Sequence, residues 1–375
     1  MLKPLIGNGL LTSEGSFWLR QRRLSQPAFT KEKINTYSVA IRHVISEIIS
    51  EWKPRVEQNL PINVTKETYT IALRVVTTTL FLSTIKHQEE KLRLNIYSIM
   101  EKIMFRAHRA IPLPFWLPLL KHLSERRAIR EVLNYINKII DERRLMKSTE
   151  TNDDLLNMLM NVKDIDTGEK MSNEQLRDEI VTLFIAGFET TAVTLAYTLL
   201  LLAQHPKIKD TLLDELKLTL KGEQPNMENI QRATYLDAVI KESLRLYPAA
   251  WQISRRPMIK ENLGNIRIPA YSGIMIPIFA LHRNPIYWQN PEKFIPERWI
   301  KDGKTIDPEP FTYLPFGAGQ RICIGERFAI VEIKFALVLI FNHFNLAPIP
   351  VEPIELDTLI TLKPQKEISL VFVQK

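Results

Sequence analysis

The residues around Cys323, the only cysteine in a chain of 375 residues, have the types and spacing of a metal-binding loop. Glycines at positions 317 and 319 would let the backbone turn tightly, and Arg321 places a cation beside whatever the cysteine binds. A helix predicted to begin near Glu326 would stabilise the thiolate, the form that ligates metals, through its N-terminal N–H groups. A lone buried cysteine is more often a small core residue, so the hypothesis depends on these neighbours.

A second candidate for chemistry is Glu189, the only charged residue between Ile180 and Ala203. The hydroxyls of Thr190 and Thr191 follow it, and buried polar groups of this kind usually have a task. The segment is long enough to span a membrane, but an acid at its middle would be costly in lipid. Gly187 would suit a flat group close to the backbone, whereas a core helix with a water-bound Glu189 is an equally good interpretation.

The element that must position Glu189 is a long helix. Ser172 and Gln175 fit a capping box, which predicts a helix from Asn173 to about Gln204, where His205 and the following proline end it. Apolar residues three and four apart predict more helices up to about residue 203, for example over residues 37–52, 92–104 and 126–144.

The sequence pattern changes from residue 248 onward. Prolines crowd this region, and short β-branched runs such as residues 274–278 predict strands between turns. One more helix is expected after Gly325, and residues 359–373 are typical of a closing hairpin. The fold class is therefore mainly α with a small β portion (α+β), in one domain over residues 1–375. The apolar, proline-rich stretch 111–118 predicts a buried loop, a substrate-entry lip or a membrane-touching loop.

The composition limits the classes of function that this protein can have. With 45% hydrophobic and 25% charged residues the chain is globular, and one cysteine allows no intrachain disulfide, which favours a reducing, cytoplasmic location. The first residues contain no apolar stretch long enough for a signal peptide or an anchor. The net charge of +8 is scattered without basic blocks, which argues against nucleic-acid binding and leaves an acidic protein partner open.

The cysteine loop matches every fixed position of the signature Phe-x-x-Gly-x-Arg-x-Cys-x-Gly, at Phe316, Gly319, Arg321, Cys323 and Gly325. The sequence therefore closely resembles the cytochrome P450 family of haem-thiolate monooxygenases, from about residue 9 to the C terminus. Further family motifs occur in the family's order: Trp-x-x-x-Arg at 18–22, Ala-Gly-Phe-Glu-Thr-Thr at 186–191, Glu-x-x-Arg at 242–245 and Pro-Glu-Arg-Trp at 296–299.

The resemblance implies haem b, with Cys323 as the axial iron ligand and Phe316 packed against its sulfur. It also implies O2 as the oxidant, and Glu189 and Thr190 as the catalytic pair that relays protons. The cations and the tryptophan expected around the haem propionates are Trp18, Arg22, Arg255 and Arg321. The sequence leaves open whether Arg255 or Arg256 has this role.

The resemblance also assigns a structural network and a substrate pocket. Glu242 and Arg245 are three residues apart, a spacing that usually means a small surface ion pair, but the family match implies a buried network with Arg298. Removing one partner of such a network would cost roughly 3 to 5 kcal/mol. The pocket would be lined by Leu183, Ala186 and Trp251, which suits a small apolar substrate such as a fatty acid, a terpenoid or a steroid.

Electrons must come from elsewhere, because the chain contains no flavin or ferredoxin motif. We expect reducing equivalents from NAD(P)H through a separate acidic ferredoxin, flavodoxin or reductase, and a monomeric protein. Basic residues near the start and after the cysteine predict a docking face for that partner. They are Arg20, Arg22, Arg23, Arg327 and Lys334.

The match has two departures. The chain begins later than family members do, so we expect that an N-terminal segment is missing, and such a segment would leave an anchor open. Relatives commonly have glycine where this chain has Tyr271, so the turn is expected to move to Gly273. The alternatives are a truncated or inactive haem-binding remnant, a haem-thiolate sensor without turnover, and an enzyme that uses peroxide directly.

Overall fold

The architecture is mainly helical, with short antiparallel strands in the second half of the chain. A computed structural model describes residues 3–81, 95, 98–99, 120–145, 154–358 and 360–375. The helix expected over residues 92–104 lies largely outside these ranges, and the stretch 111–118 lies outside them entirely. The prediction of a mainly α fold with a small β portion is confirmed.

The helices account for most of the described residues. They are α1 (Lys3–Ile6), α2 (Gly15–Ser25), α3 (Lys31–Glu57), α4 (Val64–Phe81), α5 (Leu120–Leu145), α6 (Leu155–Asn161), α7 (Asn173–Gln204), α8 (Pro206–Leu220), α9 (Met227–Gln231), α10 (Thr234–Leu246), α11 (Ile278–Leu281) and α12 (Glu326–His343). Single 3₁₀ turns are Gln26–Phe29, Pro296–Trp299 and Gly319–Arg321.

The strands form two-stranded antiparallel ladders, and the last two pair with partners far away in the sequence. They are β1 (Ile62–Asn63), β2 (Ile253–Arg255), β3 (Glu261–Leu263), β4 (Ile266–Ile268), β5 (Ile274–Ile276), β6 (Ile300–Lys301), β7 (Lys304–Thr305), β8 (Phe344–Leu346), β9 (Leu356–Thr358), β10 (Leu362–Pro364), β11 (Ser369–Leu370) and β12 (Phe372–Gln374). The pairs are β1–β11, β2–β5, β3–β4, β6–β7, β8–β12 and β9–β10.

The prediction of one closing hairpin over residues 359–373 is wrong. A hairpin joins β9 to β10, whereas β11 pairs with β1 and β12 pairs with β8. The cause is burial: Phe372 on β12 is fully buried and packs on Trp52 of α3, with ring centroids 5.5 Å apart. The apolar side chains of the tail thus draw its last strands onto the helical core.

Helix α7 has the bounds that its capping signals predict. The Ser172 hydroxyl accepts the Gln175 N–H (3.2 Å), and the Gln175 side chain accepts the Ser172 N–H (2.9 Å). The helix is apolar enough to be a candidate membrane span, but 83% of its most apolar window is buried inside the protein. It lies at the centre of the main apolar core, in contact with α4, α10 and α12.

Gly187 in α7 serves helix packing and does not make room for a flat ligand. A Cβ at this position would lie 3.0 Å from Cγ2 of Val76 on α4. The glycine therefore lets α4 and α7 approach each other closely, which corrects the expectation for this residue.

The turn before β5 forms at Tyr271 and does not move to Gly273. Tyr271 adopts the left-handed conformation itself, with φ of +64°, and its N–H donates to the Pro257 carbonyl (2.7 Å). The Arg256 guanidinium lies over its ring, 5.9 Å from the centroid, a contact that helps to offset the backbone strain.

Candidate functional site

The loop that presents Cys323 is fixed by backbone hydrogen bonds. The Cys323 N–H donates to the Phe316 carbonyl (2.9 Å), and the Ile322 N–H donates to the Gly319 carbonyl (3.0 Å). Gly317 and Gly319 have φ of +75° and +71°, so glycine is needed at both turns. Since α12 begins three residues after Cys323, the sulfur lies close to a helix N terminus.

The groups around Cys323 include donors that would stabilise its sulfur as a thiolate. The Cys323 side chain lies in a recess: one side of it is open to solvent, and protein surrounds the others. Burial raises the pKa of the free thiol, and the Glu326 charge raises it too. The backbone N–H groups of Gly325 and Glu326 and the charge of Arg22 offset part of this rise. A metal ion would deprotonate such a thiol outright, and the N–H groups would then stabilise the thiolate.

Cations converge on the edge of this site from three elements. The Arg321 guanidinium lies over the Trp18 ring at 4.3 Å from its centroid and donates to the Ser13 carbonyl (2.8 Å). Burial lowers the pKa of Arg321, and the nearby Arg255 charge lowers it further. An anion close to both guanidinium groups would relieve this repulsion.

Arg22 and Arg256 differ from these two cations in their partners. Arg22 donates to the Ile322 carbonyl (2.9 Å) and so supports the cysteine loop itself. Arg256 lies 3.5 Å from Glu14 and stacks on Tyr271, which leaves Arg255 as the better candidate for an anionic ligand.

On α7 the candidate catalytic pair lies where the helix is open between its buried stretches 178–185 and 191–204. Ala186 is exposed and Thr190 half-buried, whereas almost all their neighbours are buried. The Thr190 hydroxyl donates to the Ala186 carbonyl (2.9 Å). Glu189 is 7% exposed, and burial raises the pKa of its carboxyl.

Thr361, which no sequence pattern links to the site, is the hydrogen-bond partner of Glu189. Its hydroxyl donates to the Glu189 carboxylate (2.8 Å) from the turn between β9 and β10. The adjacent Leu362 N–H donates to the Ala249 carbonyl (2.9 Å). The C-terminal hairpin thus joins α7 to the segment that carries Trp251.

The expected pocket residues differ in exposure. Leu183 is buried, Trp251 is half-buried and Ala186 is exposed. The Trp251 carbonyl accepts the Phe279 N–H (2.9 Å), which fixes this segment against α11. The side chains of Leu183 and Ala186 are apolar, whereas the Trp251 ring carries one polar atom, Nε1.

The buried network centres on Glu242, which is fully buried on α10. Its carboxylate accepts two hydrogen bonds from Arg245 (both 2.9 Å) and one from Nε of Arg298 (3.0 Å). Trp299 Nε1 (2.9 Å) and the Ile295 N–H (3.0 Å) complete the set. These five donors replace the hydration that the carboxylate loses on burial.

Arg245 extends this network to the loops before the cysteine. Two of its five N–H groups bind Glu242, and the other three donate to backbone carbonyls within 3.0 Å. The carbonyls belong to His282, Pro291 and Lys293. Every donor of the guanidinium is therefore used, and the side chain joins α10 to two separate segments.

Two members of the predicted basic docking face are paired with acids. Lys334 is only 6% exposed and forms an ion pair with Asp237 (2.6 Å). Arg23 contacts both Asp164 (2.6 Å) and Asp166 (2.7 Å), which neutralise it. Sequence alone could not place these acids, since they come from distant segments.

The comparisons with known proteins agree with the geometry of the loop and the helices. The cytochrome P450 family model matches residues 2–372. Cyclooctatin synthase from Streptomyces melanosporofaciens is 31% identical over 98% of this chain and 78% of its own length. Cyclooctat-9-en-7-ol 5-monooxygenase from the same organism is 32% identical over 93% of this chain and 74% of its own.

Solved cytochrome P450 structures superpose on this chain. The crystal structure of the cytochrome P450DA heme domain superposes with a TM-score of 0.89 at 26% identity, over 100% of this chain and 81% of that chain. A crystal structure of the cytochrome P450 CYP102L1 superposes with a TM-score of 0.86. The chain therefore belongs to the cytochrome P450 family of haem-dependent monooxygenases, and it is an oxidoreductase.

Proposed function

We propose that this protein inserts one atom of O2 into a small apolar organic substrate, with haem b bound through Cys323. The observation that supports this proposal most directly is the loop that surrounds Cys323 with backbone N–H donors and a nearby cation. The domain would extend over residues 1–375.

The residues present fit a haem group. The thiol lies among N–H donors that stabilise its anion, and Arg255 and Arg321 repel each other where carboxylates would relieve the repulsion. Trp18 stacks on Arg321 and so orients it, and Arg22 supports the loop through its hydrogen bond to the Ile322 carbonyl. When bound, haem supplies the oxygen activation that this family performs, and the thiolate promotes it.

Glu189 and Thr190 are proposed to move protons during that reaction. Burial keeps the pKa of Glu189 raised, so its carboxyl can both hold a proton and release it. The Thr361 hydroxyl donates to the Glu189 carboxylate and fixes its orientation. Thr190, one residue further and less buried, would pass the proton from its hydroxyl toward the reaction space.

The substrate is proposed to be a fatty acid, a terpenoid or a steroid-like molecule. The apolar lining from Leu183, Ala186 and Trp251 supports an apolar compound and excludes a strongly charged one. The name of one relative specifies oxidation of cyclooctat-9-en-7-ol at position 5, which supports a ring-containing substrate here. Electrons would come from NAD(P)H through a separate ferredoxin, flavodoxin or reductase.

The first prediction concerns Cys323→Ser. We expect the reduced wild-type protein with carbon monoxide to show the absorption band of thiolate-ligated haem, and the variant to lose that band. The change removes the sulfur anion and leaves the loop glycines in place. Haem content is measured in parallel, because the band would also disappear if the variant bound no haem. A wild-type protein that binds no haem, or that shows histidine-type ligation, would exclude the proposal.

Turnover separates the enzyme from a sensor or an inactive remnant. A panel of apolar compounds is screened for a spin-state shift of the haem, and those that bind are incubated with NADPH and a ferredoxin–reductase pair. We expect an oxygenated product from at least one compound. A protein with the thiolate band but no product from any binding compound would be a sensor or a remnant.

A further inference from the structure

His282, which directly follows α11, has an unusually well-defined hydrogen-bonding role. The residue is fully buried, and Nε2 of its ring accepts the Leu314 N–H at 2.7 Å. Its other nitrogen, Nδ1, lies 3.2 Å from the Arg245 carbonyl. A backbone N–H can only donate, so Nε2 is the bare nitrogen and Nδ1 carries the hydrogen that Arg245 accepts.

The ring has to be neutral to make both bonds. Protonation would place a second donor at Nε2, directly against the Leu314 N–H. In keeping with this geometry, burial lowers the pKa of His282 to about 3. The imidazole is therefore a fixed connector at any pH where the protein works, and it does not act as a titrating base.

The ring contacts the segment that leads to the cysteine loop in two ways. Besides the bond to Leu314, it stacks on Tyr313, with centroids 5.1 Å apart and planes inclined by 27°. The Tyr313 hydroxyl in turn donates to the Lys241 carbonyl on α10 (3.0 Å). Tyr313 is thus bonded to α10 directly, and Leu314 is linked to α10 through His282.

From Leu314 the connection continues to Cys323 through the backbone. The Leu314 carbonyl accepts the Gly317 N–H (3.0 Å), which closes the first turn of the loop. One residue earlier in that turn, the Phe316 carbonyl accepts the Cys323 N–H (2.9 Å). A displacement of Leu314 would therefore reach the sulfur through two hydrogen bonds.

We propose that His282 is a positioning residue: its Nε2 bond to Leu314 couples the buried Glu242–Arg245 network to the loop that holds Cys323. Arg245 contacts His282 twice, since its carbonyl accepts from the ring and its guanidinium donates to the His282 carbonyl (2.8 Å). The network thereby sets the position of the metal-binding loop. This inference rests on the proposed role of Cys323, but its structural part can be measured without that role.

Two variants separate the two ring nitrogens. In His282→Gln the side-chain oxygen can reach the position of Nε2 and accept the Leu314 N–H, while the bond to Arg245 is lost. In His282→Asn the shorter side chain keeps a donor at the position of Nδ1 and leaves the Leu314 N–H without an acceptor. His343→Gln is the control, because Nδ1 of this half-buried histidine on α12 bonds the Leu339 carbonyl of its own helix (2.9 Å) and the ring packs on the adjacent Phe344, far in sequence from the cysteine loop.

The first readout is hydrogen exchange of the haem-loaded protein, followed by mass spectrometry over residues 313–323. We expect exchange in this segment to become about tenfold faster in His282→Asn, because an unpaired buried N–H costs roughly the free energy of a tenfold change. His282→Gln and His343→Gln should stay close to wild type. Equal exchange in both His282 variants, whether fast or slow, would overturn the proposal.

The second readout is the fraction of thiolate-type band in the reduced, carbon-monoxide-bound protein after mild heating. His282→Asn is expected to lose this band first, with His282→Gln close to wild type. Equal loss in the two variants would show that ring packing, not the Nε2 acceptor, supports the loop. A wild-type protein without the band would refute the role of Cys323, and the exchange measurement would still test the coupling.

Discussion

At the scale of single residues, Glu189 and Thr190 are neighbours in sequence with opposite surroundings. Glu189 is buried, and its carboxyl accepts a hydrogen bond from the Thr361 hydroxyl. Thr190 is half-buried and uses its hydroxyl hydrogen on the Ala186 carbonyl, which leaves the oxygen free to accept a hydrogen bond. This order, a buried acid followed by a more open hydroxyl, supports the proposed role of the two residues in proton transfer.

Thr190→Ala is expected to uncouple the reaction. Consumption of NADPH should continue, while product falls by about a hundredfold, the lower range for loss of a proton-transfer group. The missing product should be replaced by hydrogen peroxide, and all three compounds are measured in one assay. Thr211→Ala on α8 is the matched control, since its hydroxyl makes the same kind of bond to a carbonyl four residues earlier. Equal losses of NADPH consumption and product would contradict the role of Thr190.

At the scale of elements, the first residues of the chain are held against the start of α7 by two acids. The Asn8 N–H donates to Asp178 (2.7 Å) and the Leu10 N–H donates to Glu179 (3.0 Å). A Cβ on Gly9 would lie 2.1 Å from the Thr182 hydroxyl, so this contact is tight. Burial raises the pKa of Glu179 to about 7, and the neighbouring Asp178 raises it too.

This raised pKa predicts a pH dependence of stability. Because the folded state binds the Glu179 proton more tightly than the unfolded state, the stabilisation is complete below the ordinary carboxyl pKa and is lost as pH rises through about 7. The whole change would be about 3 kcal/mol. In Glu179→Gln the free energy of urea unfolding should fall less between pH 5 and pH 8 than in wild type. Glu174→Gln, an exposed site on the same helix, is the control, and equal slopes in all three proteins would refute the assignment.

The same elements show which features of the structure could be predicted from the sequence. Capping residues and apolar periodicity are local, so the bounds of α7 and the helix after Gly325 could be predicted. Contacts between distant segments could not: Thr361 reaches Glu189 only because the hairpin folds back over α7. For the same reason the pairing of β12 with β8 and the packing of Gly187 on Val76 were not predictable from local pattern.

The family motifs supplied the long-range information that local pattern lacks. They brought together Glu242, Arg245 and Arg298, and the structure places both arginines within 3.0 Å of the Glu242 carboxylate. They assigned no structural role to His282, although this ring makes two hydrogen bonds inside the same network. The physical reason is that a buried histidine leaves no periodic or charge signal in the sequence.

At the scale of the whole molecule, the positive net charge must be divided between buried and exposed cations. Lys334 and Arg23 are paired with acids, so neither offers a free charge to a partner. Arg327 is exposed in the first turn of α12, four residues after Cys323. A cation at a helix N terminus is unfavourable for the helix itself, so its presence favours a role at the surface.

We therefore expect Arg327→Glu to slow reduction of the haem by an acidic ferredoxin. Opposite charges speed the encounter of two proteins, and salt screens this attraction within about 10 Å at 0.1 M ionic strength. The reduction rate, measured by stopped-flow absorption, should fall severalfold at low salt and approach the wild-type rate at high salt. Lys217→Glu on α8 changes the net charge equally at another exposed site and should have a smaller effect. A loss that is the same at every salt concentration, or the same in both variants, would show that the partner does not dock beside Cys323.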